Sequence, residues 1–579
     1  MLIEKFETLF DTPETVEELR KLILDAAMRG KLVPQDPNDE PASVLLERIK
    51  EEKERLIKEK KIKKQKVLPQ VGKEDISYNI PENWIWTRIG NIVYFERGIT
   101  FPATAKMEHM RDGLIACART TNVQDQFNWF DMIYVDKGYI KENQEKLVRP
   151  GDILMSSANS RELVGKVSYM DIVYGELTFG SFLLCIRTLK PCYSKFIYYL
   201  FLKMFVHGEL QRLSSQTTNI ANINSNKLSH LTIPLPPLNE QKRIVAKLDQ
   251  LMTFCDRLKE TIIQRQKEAD RLNQSAFTYL QQSQSRKELE TNLRFVLNNF
   301  NIFCTRKEDV KLLRQTILTL AVQGKLVPQD PNDEPASVLL EKIKKEKERW
   351  IKEKKIRKQR KLSPIKEDEV PYEVPVGWKW VKAGEIFTIV GGKRVPKGYS
   401  LLDNPTPYIY IRVSDMKNGT ISRENIKYIS QEVRDKIGRY IITSDDLYIS
   451  IAGTIGSVGE VPSYFNNMNL TENAARVILH LTNKRFYRYV LQSNLVQNQF
   501  LESVKQMAQP KLALNKIEDT VLPLPPLNEQ KRIAAKVDQL MSLCDQLEEQ
   551  LERSNQAVDQ LLQSVLKMAF SNQHETVPV

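Results

Sequence analysis

GKLVPQDPNDEPASVLLE, residues 30–47, returns letter for letter as residues 324–341. A second stretch, PLPPLNEQKRI, stands at 234–244 and again at 523–533. The first pair is offset by 294 residues and the second by 289, so the chain holds two copies of one unit. Between the matched stretches lie two segments, roughly 80–235 and 375–523, that resemble each other only faintly. A near-identical frame carrying two diverged inserts is what any function has to explain.

The frame reads as helical. In TVEELRKLILDAAMR (15–29), Leu19, Leu22, Ile23, Ala26 and Ala27 recur at helical spacing, and Gly30, Pro34 and Pro37 end the helix. A second helix is expected from Pro41 to about Lys66. Its charged second half suits a solvated face laced by Glu54/Lys58 and Glu59/Lys63, or a phosphate-contacting arm. From Asn239, read as an N-cap, a helix of about 45 residues would reach on the order of 65 Å. Ile244, Leu248, Leu251 and Leu258 mark its heptad seam; Ile533, Val537, Leu540 and Leu547 repeat it in the second copy. Helical spacing alone would also suit a buried core helix, but two matching registers of this length favour a spacer rod.

The inserts read differently. PENWIWTRIGNIVYF (81–95) and PVGWKWVKAGEIF (375–387) open them with aromatic and β-branched residues. In the first insert strands are expected at 113–118, 132–135, 152–156, 163–167 and 182–187, and a mostly buried helix at 194–212. The expected fold class is therefore α+β. Its parts are an N-terminal helical region (1–80), an α+β domain (81–237), a central helical region (238–374), a second α+β domain (375–526) and a C-terminal long helix (527–579). The repeat is circular, with a pseudo-twofold character: the N-terminal helices can complete the C-terminal long helix, and the middle helices the first. The tail NQHETVPV (572–579) is expected to be disordered.

Composition narrows the function. A net charge of +13 and a pI near 9.1 suit a polyanion partner, and equally suit plain solubility. The six cysteines are scattered without CxxC pairs and read as buried or incidental thiols. The acidic opening MLIEKFETLFDTPETVEEL does not read as a signal peptide, and no apolar run of about eighteen residues suggests a membrane span, so a cytoplasmic, soluble protein is expected. Catalytic signatures are missing. There is no P-loop; the glycines of 453–459 lack the Walker lysine and the first spacing of a dinucleotide fingerprint. LPPL lacks the polar residue and ring that flank the paired prolines of amino-methyltransferases. The five histidines suggest neither zinc nor a triad.

What the inserts do carry is matching strands with swapped polar loops. Residues 151–167 align without gaps to 445–461, and 116–125 to 410–419. Arg119, Thr120, Asn122, Ser157, Asn159 and Arg161 in one copy, and Arg412, Ser414, Asp415 and Thr454 in the other, are types suited to base edges or phosphates. FERGIT contributes Arg97 and Thr100, and GGKRVPKG contributes Lys393 and Arg394. Near the insert exits, 217–227 supplies Asn222, Asn224 and Lys227, and 508–516 supplies Lys511 and Lys516. Polar loops are common, so the shared scaffold with exchanged loops weighs more than any single residue.

Two PLPPLNEQKRI stretches leading into heptad helices, two diverged inserts each closed by that stretch, and a circular helical repeat resemble the specificity subunit of type I restriction–modification systems. The leading LRKLILDAAMRGKLVPQDPNDEPASVLLERI is similar to the subgroup with helices before the first recognition domain. The resemblance implies a non-catalytic subunit in which each insert is a target recognition domain for one half of a bipartite, asymmetric site in double-stranded DNA. Two long helices, paired as an antiparallel coiled coil, would set the unread spacer. The frame would dock two modification subunits, which bring S-adenosylmethionine and methylate adenine N6, and two restriction subunits that use ATP and Mg for translocation and cleavage. No cofactor is expected in this chain itself.

A free-standing DNA-binding protein with two reading heads is the alternative; co-purification with partner subunits separates the two. A fused methyltransferase or nuclease would need a cofactor pocket or clustered acids with lysine, which the sequence does not offer. A pure scaffold leaves the exchanged loops unexplained. For the seam, Leu258→Asp is expected to lower the melting temperature or abolish assembly, because it buries an unpaired charge; normal melting would refute the seam.

Overall fold

The computed structural model describes residues 9–64, 67–140, 143–217, 220–505 and 510–571, so the tail at 572–579 lies outside the described residues. The chain divides into two compact units, Met1–Gln266 with Val558–Val579, and Lys267–Ala557.

In the first unit, α1 (Pro13–Met28) begins at a Thr12–Thr15 capping box. It ends where Gly30 turns left-handed at φ +69° and the Lys31 amide reaches back to the Ala26 carbonyl. α2 (Ala42–Lys58) stops earlier than the sequence predicts. Lys60 takes φ +57°, and the Lys61 and Ile62 amides both donate to the Leu56 carbonyl. The reversal returns Ile62 to the core, a gain that a continued solvated helix would forgo. The predicted Glu–Lys pairs give way to Arg55, which bridges Glu52 and Glu59 at 2.7 and 2.9 Å.

The first insert starts with β1 (Ile85–Arg88), β2 (Val93–Arg97), β3 (Leu114–Ala118) and β4 (Ile133–Asp136). It continues through β5 (Ile153–Ser156), β6 (Ala158–Asn159), β7 (Val167–Tyr169), β8 (Leu177–Phe179) and β9 (Leu183–Thr188). The strand expected at 163–167 is a turn leading into β7, because the Gly165 amide closes a loop onto the Ser156 carbonyl. The expected helix at 194–212 breaks at Gly208 into α3 (Ser194–Val206) and the short helix Glu209–Leu213. β10 (Ser215–Thr217), β11 (Ile220–Asn222) and β12 (Thr232–Leu235) lead to α4 (Leu238–Gln282), which is 45 residues long. Asn239 therefore falls inside the first turn of α4 and is no N-cap.

An antiparallel sheet β2-β9-β5-β7 forms the centre, with β4-β3-β8 and β10-β11-β6 beside it and β1-β12 closing the insert. α3 covers the central sheet with Phe196, Ile197 and Leu200, and joins α1 and α4 in one core.

The second unit repeats this plan. α5 (Arg286–Asn298), α6 (Lys307–Val322) and α7 (Ala336–Lys352) precede β13 (Lys379–Lys382) and β14 (Phe387–Gly391). Then come β15 (Tyr410–Ile411), β16 (Met416–Lys417), β17 (Thr420–Ile421), β18 (Ile441–Ile442), β19 (Leu447–Ser450) and β20 (Val458–Glu460). β21 (Met468–Leu470), β22 (Ala474–Leu479), α8 (Lys484–Gln492), α9 (Asn494–Glu502), β23 (Val521–Leu524) and α10 (Leu527–Ser571) complete it. The central sheet β14-β22-β19-β20 and the closing pair β13-β23 match the first insert strand for strand, while the side sheet is reordered as β15-β21-β18.

The seam residues have mixed surroundings. Ile244 and Leu248 are buried among the residues of α1 and α3, as Ile533 and Val537 are among those of α6 and α8, so the first turns of each long helix belong to a domain core. Leu251 and Leu540 flank those cores half-buried. Leu258, Val558 and Leu561 each pack against Leu9 and Phe10 in the first unit; in the second, Leu547 packs on the cluster that includes Phe277, Leu280 and Phe303. Completion across copies runs along the far part of α4, where Arg306 of the α6 segment pairs with Asp270, Asn273 donates to Asp309 and Gln281 to Thr316. Otherwise each helical segment packs on its own copy's long helix: Arg20 pairs with Asp256 and Lys259 with Glu17 on α1 and α4, and Arg314 with Asp545 on α6 and α10.

The repeated stretches meet in one polar lock. The Glu240 carboxylate, 1% exposed, accepts from the Trp84 indole at 2.9 Å and from Gln35 Nε2 at 2.6 Å. One turn on, Arg243 donates to Asp39 at 2.6 Å. In the second copy Glu529 accepts from Trp378 at 2.9 Å and Gln329 at 3.1 Å, and Arg532 donates to Asp333 at 2.7 Å. Gln241 and Gln530 add a further tie, accepting from the amides of Tyr193 and Asn483 at 3.0 and 2.9 Å. Burial raises the Glu240 and Glu529 carboxyls above the usual range, against the donors that lower them. Each partner is therefore needed, because a buried carboxylate that loses a donor is left with its desolvation cost. Trp84→Phe or Trp378→Phe is expected to lower stability by about 1.5–3 kcal/mol in denaturant melts. Unchanged midpoints in both variants would remove the lock from the account.

Candidate nucleic-acid interface

One edge of the first insert gathers the ends of β2, β3, β5 and β11 around the turn between β8 and β9. The Ile99 amide donates to the Phe179 carbonyl at 2.8 Å, and the Gly180 amide to the Ala118 carbonyl at 2.9 Å. On the other side of the turn, the Ser157 and Ala158 amides both donate to the Phe182 carbonyl, at 2.9 and 3.3 Å. The Ile223 amide then donates to the Ser157 carbonyl at 2.9 Å. Gly98 makes the crowding possible, since a Cβ there would stand 2.1 Å from the Gly180 carbonyl oxygen.

The second insert builds the same edge. Lys393 donates through its amide to the Leu470 carbonyl at 2.9 Å, and Thr471 to Ile411 at 3.0 Å. The Ile451 and Ala452 amides hold the Asn473 carbonyl at 2.8 and 3.2 Å, and the Leu512 amide donates to Ile451 at 2.8 Å. Gly392 stands where Gly98 does, its missing Cβ 2.1 Å from the Thr471 carbonyl oxygen.

These bonds correct the alignment read from sequence. Ile153–Ser156 does match Leu447–Ser450, but the loops that follow differ in length. The first runs eight residues, Ser157–Val164, before Gly165 donates to Ser156; the second runs five, Ile451–Ile455, before Gly456 donates to Ser450. The gapless match of 151–167 to 445–461 therefore fails at the loop, and the longer loop carries β6, which pairs with β11. Likewise Arg119 matches Arg412 and Asn122 matches Asp415, one residue off the expected register. The Arg119 amide donates to the Asn122 side chain at 2.7 Å, and the Arg412 amide to Asp415 at 2.8 Å.

The edge collects most of the predicted residues. Arg97, Arg161, Lys511 and Lys516 are exposed and make no ion pair among the described residues. Thr100, Ser414, Thr454 and Asn222 are exposed too. Lys393 lies over the Tyr440 ring, Arg394 pairs with Glu472 at 2.6 Å, and Lys227 reaches the Leu213 carbonyl at 3.2 Å. Asn224 caps the short helix Ser225–Ser229, while Ser157 and Asn159 are half-buried and bonded to Phe182 and Ser156. Thr120 is half-buried in a tight turn beside Arg119, which pairs with Asp131 at 2.8 Å. Of the exit stretches, 218–219 and 508–509 lie outside the described residues.

Two predicted contacts are overturned. Asn122 is buried and donates to the Asn128 and Asp131 carbonyls, and Asp415 is buried against the Arg412 guanidinium at 2.6 Å. Both tie their loops internally and have no free edge for a base. Sequence reasoning also missed the β8–β9 turn and its counterpart between β21 and β22. Phe182 reads as the start of a strand, and only the hydrogen bonds put it at the centre of the edge. Among the described residues no group of histidine, cysteine or acidic side chains could hold a metal, and the six cysteines are all buried. No helix of the described residues is long and apolar enough to cross a membrane.

The Type I restriction modification DNA specificity domain family matches residues 81–267 and 375–554. The chain is 31% identical over 559 residues to the EcoAI type I restriction enzyme specificity subunit of Escherichia coli, covering 92% of this chain and 90% of that protein. It is 30% identical over 569 residues to the EcoEI specificity subunit of Escherichia coli, covering 93% and 91%. A chain solved in a study of complex assembly and conformational transition of the type I R-M system superposes with a TM-score of 0.50 at 17% identity, covering 86% of this chain and all of that one; it supports the fold.

The glycine contact is open to test. Gly98→Ala and Gly392→Ala are expected to cost about 1–3 kcal/mol, because the new methyl meets backbone that cannot step aside. Gly180→Ala, where the nearest atom would be 3.6 Å away, should stay near wild type. Equal melting of all three would refute the close approach.

Proposed function

The chain belongs to the type I restriction–modification DNA specificity family, and from that premise we propose that its two inserts read two different half-sites of one asymmetric DNA sequence. As a specificity subunit it is the non-catalytic DNA-recognition component, with two recognition domains. In our reading residues 81–237 form one target recognition domain and 375–526 the other, each presenting the edge around its β8–β9 or β21–β22 turn to the duplex. The observation that carries this is the pair of edges. The same backbone bonds recur in both, while the side chains and the loop length between β5 and β7 are exchanged. A scaffold kept rigid while its exposed groups vary is what reading two sequences with one fold requires.

The exposed cations at each edge, Arg97, Arg161 and Lys227 in one and Lys393, Lys511 and Lys516 in the other, suit phosphate contacts that set register, leaving other positions to read bases. The helical frame of α4 and α10, run antiparallel, would set the spacer between half-sites. It would dock two modification subunits and two restriction subunits, which would bring S-adenosylmethionine, ATP and Mg.

Methylation mapping by single-molecule sequencing tests the proposal, using cells that carry this chain with its genomic neighbours. The expected result is N6-methyladenine in a split, asymmetric motif that disappears when this chain alone is deleted. A palindromic motif would overturn the two-half-site reading. No motif, with neighbours that encode no methyltransferase, would favour a free-standing DNA-binding protein.

A further inference from the structure

We propose that Phe182 and Asn473 are paired specificity-determining residues, Phe182 meeting a thymine methyl in one half-site and Asn473 an adenine edge in the other. The inference rests on the reading of the chain as a two-headed DNA-specificity subunit.

The two residues occupy the same place in the two inserts, although neither their chemistry nor their spacing in sequence reveals it. Each carbonyl is held by two successive amides from the end of the neighbouring strand: Ser157 and Ala158 for Phe182, Ile451 and Ala452 for Asn473. Each turn is closed behind by an equivalent bond, Leu183 to Gly180 at 2.9 Å and Ala474 to Thr471 at 3.2 Å. Each is pressed from the front by a glycine without room for a Cβ, Gly98 or Gly392. Ser157 Oγ adds a third bond to the Phe182 carbonyl at 3.0 Å. The backbone is therefore immobilised at this one residue in both copies, and the side chain is what differs.

Among the described residues, neither side chain is tied into a core cluster or a side-chain hydrogen bond. Phe182 is 60% exposed and, among the described residues, belongs to none of the hydrophobic clusters. Asn473 is half-buried, and its carboxamide makes no hydrogen bond among the described residues. Cations stand close by in each case: Arg97 precedes the Gly98 that touches the Phe182 turn, and Arg394 pairs with Glu472, the residue before Asn473.

The chemistry follows from the groups. A carboxamide presents a donor and an acceptor side by side, matching adenine N7 and N6 in the major groove. A phenyl ring has no hydrogen bond to offer and is suited to the thymine methyl, the one apolar feature of that groove. Rotamer freedom is the main ordering cost left, because the backbone is already fixed.

The test uses the full complex with its partner subunits, assembled on a randomised double-stranded DNA library and checked by methylation mapping in cells. Phe182→Ala is expected to relax a single T·A position in one half-site, and Asn473→Ala a single A·T position in the other. Each should lose roughly ten- to hundredfold in discrimination there, with the opposite half-site unchanged. Phe182→Leu, which keeps an apolar contact, should retain most of the preference, and melting and co-purification should match wild type for all three. Wild-type selectivity in both alanine variants would overturn the proposal. So would relaxation of both half-sites by either one, or relaxation at positions other than T and A. Failure of the wild-type complex to select any split motif would instead overturn the parent reading, before any variant is compared.

Discussion

A buried carboxylate on the first turn of each long helix is the constraint on which the rest depends. Glu240 gathers the Trp84 indole from the entry of the insert and Gln35 from the loop that follows α1; Glu529 does the same with Trp378 and Gln329. A carboxylate shut away from water costs free energy unless donors surround it, so the three segments must arrive together or not at all. The lock places the entry and exit strands of each insert side by side, as β1 with β12 and β13 with β23. It also explains the literal repetition of the two stretches. Gln35 and Asp39 come from one, Glu240 and Arg243 from the other, and geometry this close leaves little room for exchange.

With both ends clamped, the insert is free to vary at its far edge. The central sheets agree strand for strand because their buried faces pack against α3 in one copy and α8 with α9 in the other. At the edge, backbone amides and carbonyls carry the structure, and they are indifferent to side-chain identity. A three-residue difference in one loop is absorbed by adding the small ladder of β6 on β11. That separation of duties, a backbone-held edge and uncommitted side chains, is what lets one architecture present different chemistry.

The long helices show a different economy. Their heptad pattern is real, yet the first turns bury Ile244 and Leu248, or Ile533 and Val537, in a domain core made with α1 and α3, or α6 and α8. Farther along, Leu258 shares the Leu9 and Phe10 cluster with Val558 and Leu561 of the other long helix, and Leu547 packs on a cluster that includes Phe277 and Leu280. One apolar stripe serves two kinds of neighbour, since the spacing that suits a coiled coil also suits packing on any apolar surface.

The sequence by itself determined the duplication, the α+β character of the inserts, the extent of the long helices and the identity of the lock residues as repeated letters. These are local or periodic properties, and periodicity survives without knowledge of neighbours. It also marked the cations of the edge, which are exposed for the same reason they are charged. The tertiary structure alone decided which polar residues are spent inside their own loops. Asn122 and Asp415 look like readers, but Asn122 is buried by bonds to the Asn128 and Asp131 carbonyls and Asp415 against the Arg412 guanidinium. Only the fold could align Ser157–Val164 with Ile451–Ile455 across unequal lengths, or bring Phe182 and Asn473 to one position. Equivalence there is written in amide-to-carbonyl bonds, and every residue carries those regardless of its letter.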